Sequence, residues 1–174
     1  MEDALGRQWQ TGTIQLDFQL PRRFGCTYTD RDGTEKTPVV IHRVIYGSLE
    51  RFIGILIEHF AGAFPVWLAP VQAVVIPIAD RHLPYAYRVR DRLREAGLRV
   101  EVDDGDERMQ AKIRNAQLQK VPYMLVVGDR EAAEETVAVR LRTNENLGAM
   151  PLERFLAMAQ RIVADKSLEL VTEI

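Results

Sequence analysis

The fold is decided by residues 73–127, which read AVVIPIADRHLPYAYRVRDRLREAGLRVEVDDGDERMQAKIRNAQLQKVPYMLVV. Short apolar runs alternate there with longer amphipathic stretches, a pattern typical of strands alternating with helices. The predicted elements are, in order, strand 73–78, helix 84–96, strand 99–103, helix 108–120 and strand 123–127. This order predicts a parallel sheet whose strands are joined by right-handed helical crossovers.

The residues that follow extend this core to the C-terminus. Residues 136–142 alternate apolar and polar side chains as a strand does, and residues 147–150 form a short candidate strand. Residues 152–166 carry a one-sided apolar stripe, which predicts a helix. The fold class is therefore α/β, with a mixed sheet: a parallel β-α-β-α-β core, an antiparallel edge and a C-terminal helix, all within residues 65–174.

The residues that precede the core have a different pattern. Residues 6–18 and 38–46 are β-rich and predict neighbouring antiparallel strands, and residues 49–61 predict a helix that begins after Ser48. That helix is apolar on nearly all sides, so two strands cannot cover it. Residues 1–64 are thus expected to be an incomplete antiparallel β-plus-helix domain with an exposed apolar patch that favours self-association.

Composition narrows the class of protein. The 174 residues are 47% hydrophobic with a formal net charge of −2, which excludes a disordered acidic tail and a uniformly basic coat protein. The single cysteine, Cys26, excludes a disulfide framework and a cysteine-rich zinc site. His59 and His82 lack partners at suggestive spacing and are expected at the surface or at helix ends. Without a signal-like start or a long apolar run, the chain is expected to be soluble and cytoplasmic, with no membrane partner.

A few polar residues of the front region could carry chemistry. Arg51 lies in the first turn of the predicted helix, where a guanidinium beside free N–H groups suits a polyphosphate; a structural salt bridge is the alternative. Gln10, Thr13 and Gln15 offer neutral polar groups along one strand. There is no Walker loop, nucleophile elbow or His-Glu-x-x-His motif.

Four stretches resemble one family closely. They are GRQWQTGTIQLDF (6–18), PVVIHRVIYGSLERFIGILIEHFA (38–61), FPVWLAPVQ (64–72) and VPYMLVVGD (121–129). Together they resemble the C-terminal part of bacterial threonyl-tRNA synthetases, across essentially the whole chain. HRVIYGSLERF is similar to the third signature motif of class II aminoacyl-tRNA synthetases, and its pairing with GRQWQTGTIQ is specific to the threonine enzyme. The resemblance implies a catalytic-domain end over 1–64 and an anticodon-binding domain over 65–174.

The resemblance implies roles for the front residues. Arg51 matches the arginine that binds an ATP phosphate, and Ser48 matches a neighbouring active-site position. Gln10 and Thr13 match positions that line the threonyl-adenylate site, with Gln15 beside them. The parent reaction attaches threonine to threonine tRNA with ATP-Mg as substrate. The implied partners are therefore ATP, threonine and threonine tRNA, and DNA is not among them. The implied assembly is a homodimer.

The resemblance also implies a metal. His42 matches the histidine that holds the catalytic zinc together with one cysteine and one other histidine, and this zinc reads the amino and hydroxyl groups of threonine. The other two ligands and the first two class II motifs would lie upstream of Met1. Because one histidine cannot hold zinc, the isolated chain is expected not to activate threonine.

In the second domain the resemblance places anticodon contacts. The implied anticodon-binding residues are Glu131 and Arg140, with Arg114 and Arg142 in support. The family usually has Arg-Asn-Glu and a later glycine before Lys-Ile-Arg, where this chain has Gly105-Asp106-Glu107 and Gln110. Losing a cation there should weaken contact with RNA.

Two functional hypotheses follow. The first is the C-terminal portion of a synthetase, and the start of the chain partway through a strand-rich region favours a truncation. The second is a stand-alone, non-enzymatic paralogue that binds RNA or a partner protein. A zinc hydrolase that uses His42 is disfavoured because its other ligands are missing.

Overall fold

The computed structural model describes residues 2–3 and 5–172. They form two compact units, one ending at Ala61 and the other beginning at Gly62, so the division falls slightly before the boundary predicted after residue 64. Within the described part of the chain, no helix has both the length and the apolar run needed to span a bilayer.

The second unit contains a five-stranded mixed sheet with the spatial strand order β6 (Val100–Val102), β5 (Ala73–Pro77), β7 (Tyr123–Val127), β8 (Thr136–Leu141) and β9 (Asn146–Pro151). Strand β5 pairs in parallel with β6 and β7, whereas β8 pairs antiparallel with both β7 and β9. The elements are β5 (Ala73–Pro77), a 3₁₀ turn (Asp80–His82), α3 (Leu83–Glu95), β6 (Val100–Val102), α4 (Met109–Leu118), β7 (Tyr123–Val127), α5 (Asp129–Glu134), β8 (Thr136–Leu141), β9 (Asn146–Pro151) and α6 (Leu152–Ala164). The predicted α/β class is confirmed.

The core lies on both faces of this sheet. Every residue of β5 and β7 is buried, as expected for central strands covered on each side. One face packs on α3 and α6, where Val75, Tyr123 and Phe155 belong to one apolar cluster. The other face packs on α4, where Ile76 and Ile113 belong to a second, smaller cluster.

The face that α4 covers becomes open toward the sheet edge. Along β8, Val137, Val139 and Leu141 are buried in the larger cluster, and the alternate residues, including Ala138 and Arg140, are only half-buried. Because successive side chains of a strand point to opposite faces, Arg140 projects on the side of α4. The smaller cluster thus ends beside a partly uncovered surface on β8 and β9.

One helix of this unit was not predicted. Helix α5 follows β7 directly, with Gly128 as its N-cap and Asp129 as its first residue. Six residues are too few to give a helical apolar period, so the helix depends on hydrogen bonds at its start. The Glu131 carboxylate supplies one by accepting the Gly128 N–H at 2.9 Å.

The first unit has little core of its own. Its strands β1 (Thr13–Asp17) and β4 (Val40–Val44) pair antiparallel, as predicted, and α2 (Leu49–Phe60) follows. Smaller elements complete it: α1 (Leu20–Arg23), β2 (Tyr28–Thr29) and β3 (Glu35–Lys36).

Burial in this unit is sparse. Among its described residues only Asp3, Pro21 and Ile55 are buried. On α2, Leu49 and Ile53 remain more than half exposed, which confirms the predicted apolar patch.

Candidate functional site

The first candidate site lies on one face of the β1–β4 pair. In the register, Gln15 is directly opposite His42, and Thr13 is opposite Val44. Opposite residues share a face of the sheet, and so do alternate residues of one strand. Thr13, Gln15, Asp17 and His42 therefore lie together, and we call these four residues the β1–β4 polar face. Thr13 and Gln15, expected to bind threonyl-adenylate, thus share one surface with His42, the expected metal ligand.

Asp17 belongs to this face although it was not predicted as a site residue. Its Oδ2 lies 3.0 Å from His42 Nε2, and its Oδ1 accepts hydrogen bonds from the backbone N–H groups of Gln19 and Leu20. These backbone bonds and the bond with His42 hold the pKa of the Asp17 carboxyl below its usual value. The signal that could have identified it is its position two residues after Gln15 on the same strand.

The start of α2 approaches the segment before β1. Gly47 has a positive φ of 70°, and a Cβ added there would lie 3.5 Å from the Thr11 carbonyl oxygen and 3.6 Å from that of Gln10. This close approach places Ser48, at the N-cap of α2, near the Gln10 backbone. Ser48 Oγ accepts the Arg51 N–H at 3.3 Å, as predicted for an N-cap serine.

The Arg51 guanidinium makes a cation–π contact. Its Cζ lies 5.6 Å from the centre of the Trp9 ring, and no ion pair engages it among the described residues. The salt bridge considered as the alternative role for Arg51 is therefore not formed within residues 2–3 and 5–172. The side chain is exposed, so its N–H groups remain accessible to an anion.

The donor set of this unit does not by itself make a zinc site. A structural or catalytic zinc needs at least three protein ligands, and the described residues contain no group of three potential His, Cys, Asp or Glu ligands. His42 offers one nitrogen, because the other faces Asp17. Any zinc held at His42 would need further ligands from other residues.

The second candidate site lies beside α4 in the second unit. Arg140 borders a depression of about 190 Å³ together with two other polar residues, Gln110 and Asn146. Apolar side chains form the rest of its wall, among them Ile113 and Val126. Among the described residues Arg140 has no hydrogen bond or ion pair, so its guanidinium remains available to a ligand. We call this depression the Arg140 groove.

Glu131 lies at the start of α5, where its carboxylate also has a structural role. Its Oε2 accepts the Gly128 N–H, and a Cβ at Gly128 would come within 2.8 Å of Ile78 Cδ1. Ile78 is half exposed and its Cδ1 is the far end of the side chain, so a small side chain at position 128 could be accommodated by a shift of Ile78. One carboxylate oxygen of Glu131 stabilises the helix start, and the other has no such bond among the described residues.

A neighbouring ion cluster fixes the same helix end. Asp129 accepts a bidentate pair of bonds from Arg81, at 2.8 and 2.6 Å, and lies 2.9 Å from His82 Nε2. The bonds from Arg81, followed by that from His82, lower the pKa of the Asp129 carboxyl far below its usual value. His82 lies at a helix end as expected, but it is buried and not at the surface.

The two supporting arginines differ in their surroundings. Arg142 Nη1 donates to the Phe64 carbonyl at 2.5 Å and to the Lys120 carbonyl at 3.4 Å, and burial lowers its pKa. This side chain ties the start of the unit to the end of α4. Arg114 is exposed on α4 and has no such bonds among the described residues.

Comparison with known proteins agrees with this architecture. Residues 72–162 match the family model described as the anticodon binding domain, and residues 1–60 match that of the tRNA synthetase class II core domain (G, H, P, S and T). The chain belongs to the anticodon-binding domain family. A solved structure, the RNA binding domain of threonyl-tRNA synthetase from Cryptosporidium parvum Iowa II, superposes with a TM-score of 0.76 at 40% identity, over 92% of this chain and 41% of that one.

Two curated relatives are both named threonine--tRNA ligase. The chain is 61% identical over 169 residues to a threonine--tRNA ligase of Thermus thermophilus and 55% identical over 168 residues to that of Caldanaerobacter subterraneus subsp. tengcongensis. Each match covers 97% of this chain and 26% of the relative, so the chain spans about a quarter of the relatives' length. It corresponds to the C-terminal portion of bacterial threonyl-tRNA synthetases.

Proposed function

We propose that the second unit binds the anticodon arm of threonine tRNA. The observation that carries this proposal is the Arg140 groove, an open face of the sheet with an uncommitted guanidinium, in a member of the anticodon-binding domain family. Proteins read RNA sequence mostly on unstacked loop bases, which need apolar surface to pack on and hydrogen-bonding groups at their edges. The groove offers both within one small depression.

The side chains suggest distinct roles in this binding. Arg140 can donate two parallel N–H bonds to a base edge or a phosphate, because its fork has no intramolecular partner among the described residues. The second carboxylate oxygen of Glu131 can accept from a base amino group, because only Oε2 is needed to cap α5. Arg114 is suited to a phosphate contact, and Arg142 to shaping the domain through its carbonyl bonds.

For the first unit we infer a part in threonine activation. The exposed Arg51 at the start of α2 suits an ATP phosphate, with Ser48 beside it, and the neutral side chains of Gln10, Thr13 and Gln15 suit a threonyl-adenylate. The whole enzyme would then carry out the ATP-dependent, magnesium-assisted attachment of threonine to its tRNA. We also infer a cytoplasmic homodimer, from kinship alone.

His42 is proposed as one zinc ligand of that enzyme. An exposed imidazole with one nitrogen held by a carboxylate is the usual arrangement of a metal-binding histidine. Bound zinc would supply a Lewis acid that recognises the hydroxyl of threonine. Because the described residues do not complete the ligand set, this unit alone is not expected to hold zinc. The alternative of a non-enzymatic paralogue has no observation of its own in its favour.

The location of RNA binding can be mapped on the chain itself. We expect that adding the anticodon stem-loop of threonine tRNA to the ¹⁵N-labelled chain shifts backbone amide signals of α4, β8 and β9 in NMR spectra. A stem-loop with the same stem and a replaced anticodon serves as the control RNA and should cause smaller shifts. Shifts centred on the far side of the sheet, around α3 and α6, would contradict the proposed site.

A further inference from the structure

A bulge in the β8–β9 pair borders the Arg140 groove. Val139 pairs with Gly148 across the two strands. The next residue of β8, Arg140, pairs with Asn146, so the intervening Leu147 has no partner on β8. Leu147 packs instead against the larger apolar cluster, on the face of the sheet away from the groove. The bulge therefore brings Asn146, and not Leu147, opposite Arg140 on the groove face.

The same bulge orients the side chain of Asn146. Its Oδ1 accepts the Gly148 N–H at 3.0 Å, and Gly148 has a positive φ of 79°, which a glycine adopts without strain. A backbone N–H can bond to the amide oxygen but not to the amide nitrogen. The Nδ2 group is therefore the free end of the side chain, with no hydrogen bond partner among the described residues. This end can only donate.

The groove is consequently bordered by hydrogen bond donors on the side of the strands. The Arg140 guanidinium has five N–H donors and no acceptor, and Asn146 offers its NH₂ group. No carboxylate is among the residues that border the groove in the described part of the chain. The third polar residue, Gln110, is exposed in the first turn of α4 and can present either end of its amide. A ligand that binds here must supply hydrogen bond acceptors.

The size and the apolar wall of the groove indicate a single base and not a phosphate. Its volume of about 190 Å³ is below the roughly 300–1,000 Å³ of pockets for drug-sized ligands, so it has room for one flat ring system. Ile113 and Val126 supply apolar surface on which an unstacked base can pack. A phosphate, although it also offers acceptors, would lose water of hydration against this surface without compensation.

We propose that Arg140 and Asn146 together select a base whose exposed edge carries a carbonyl group, guanine or uracil, and that Asn146 is a specificity-determining residue. The inference rests on the proposed binding of the anticodon arm and names the chemistry of the bound base. Guanine presents O6 and N7 as acceptors, and uracil presents O4. Adenine and cytosine present an amino group at the corresponding position, which would face the donors of the groove and leave them unpaired.

The test compares RNA hairpins that bind the complete 174-residue chain. The probe is the anticodon stem-loop of threonine tRNA. In each comparison RNA, one guanine of the anticodon is replaced by adenine, or one uracil by cytosine. Dissociation constants are measured by fluorescence anisotropy at one salt concentration. For the wild type we expect at least one of these replacements to raise the dissociation constant about 5- to 150-fold.

The variant Asn146→Asp isolates the contribution of the amide group. It keeps an oxygen that accepts the Gly148 N–H, and it replaces the donor in the groove with an acceptor. We expect the preference for the carbonyl base, expressed as the ratio of the two dissociation constants, to fall at least about fivefold. The added negative charge repels the phosphates of every RNA alike, so this effect cancels in the ratio.

Asn144→Asp is the matched control for that charge. Asn144 lies between β8 and β9, outside the residues that border the groove, and its φ of 73° is one that asparagine and aspartate both tolerate. This variant should bind all the RNAs slightly more weakly and keep the wild-type ratio. Backbone amide ¹H–¹⁵N spectra of both variants should match the wild type outside the β8–β9 hairpin, which establishes that they are folded.

Two results would overturn the proposal. One is a wild-type chain that binds the hairpins without distinguishing carbonyl from amino bases. The other is an Asn146→Asp ratio equal to that of the wild type. In both cases RNA is still bound, so the choice of base fails while binding of the anticodon arm stands. A chain that binds none of the hairpins contradicts the proposed function itself, and this inference with it.

Discussion

Replacing Arg140 by alanine should separate RNA binding from stability. The guanidinium makes no hydrogen bond or ion pair among the described residues and is only half-buried, so its removal costs the fold little. Substitutions of this kind change the free energy of unfolding by about 0.5 kcal/mol or less. Binding should change far more, because a specific arginine contact to a base contributes about 1–3 kcal/mol. The dissociation constant for threonine tRNA should therefore rise about 5- to 150-fold.

Two further variants identify the cause of that loss. Arg140→Lys retains the charge but not the planar fork, so we expect an intermediate dissociation constant. Arg154→Ala removes an exposed cation from α6, which packs on the opposite face of the sheet, and should leave binding nearly unchanged.

The assay is fluorescence anisotropy of labelled threonine tRNA at a fixed salt concentration, since phosphate contacts make every such affinity salt-dependent. Urea unfolding of each variant, followed by circular dichroism, measures the free energy of unfolding in parallel. If Arg140→Ala binds the tRNA within about twofold of wild type, the Arg140 groove is not the site. If it unfolds much more easily than wild type, the separation between function and stability is wrong.

Three other predictions concern the fold. Gln72→Ala should destabilise the second unit by about 2–5 kcal/mol in urea unfolding, because the buried amide bonds both the Arg99 N–H and the Val66 carbonyl at 2.8 Å; wild-type stability would refute this. The pKa of Asp129 is lower in the folded protein than in the unfolded chain, mainly because of the hydrogen bond from Arg81. The ionised Asp129 therefore stabilises the fold fully above its unfolded pKa, and this contribution is lost as the pH falls below about 4. Asp129→Asn should accordingly reduce the loss of stability between about pH 5 and pH 3. The exposed apolar surface of the first unit should bind a hydrophobic dye and cause concentration-dependent association in light scattering; a monomer without dye binding would contradict this.

The sheet was predictable because its central strands are apolar throughout. Strand β7 was predicted with the observed bounds, and β5 within one residue, since both are buried on each face and bordered by turn residues. Helix α5 was not predictable in this way. It is fixed by the Glu131 cap and by Arg81, which lies in a different turn and meets Asp129 only in the folded unit.

The candidate site was predictable in its residue types more than in its contacts. Alternation along β1 identified Gln15, but the partnership of Asp17 with His42 depends on the strand register, which joins residues far apart in sequence. Similarly, the resemblance suggested Arg142 only as a supporting anticodon contact. Its bonds to backbone carbonyls appear once the end of α4 meets the start of the unit.

The most direct test of the central claim compares two tRNAs on the same chain. Binding of threonine tRNA is measured by anisotropy with the natural anticodon and with one anticodon nucleotide replaced, at the same salt concentration. Each mismatched contact should cost about 1–3 kcal/mol, so we predict a dissociation constant at least about fivefold weaker for the altered tRNA. Equal affinity for the two tRNAs would show that this chain does not read the anticodon.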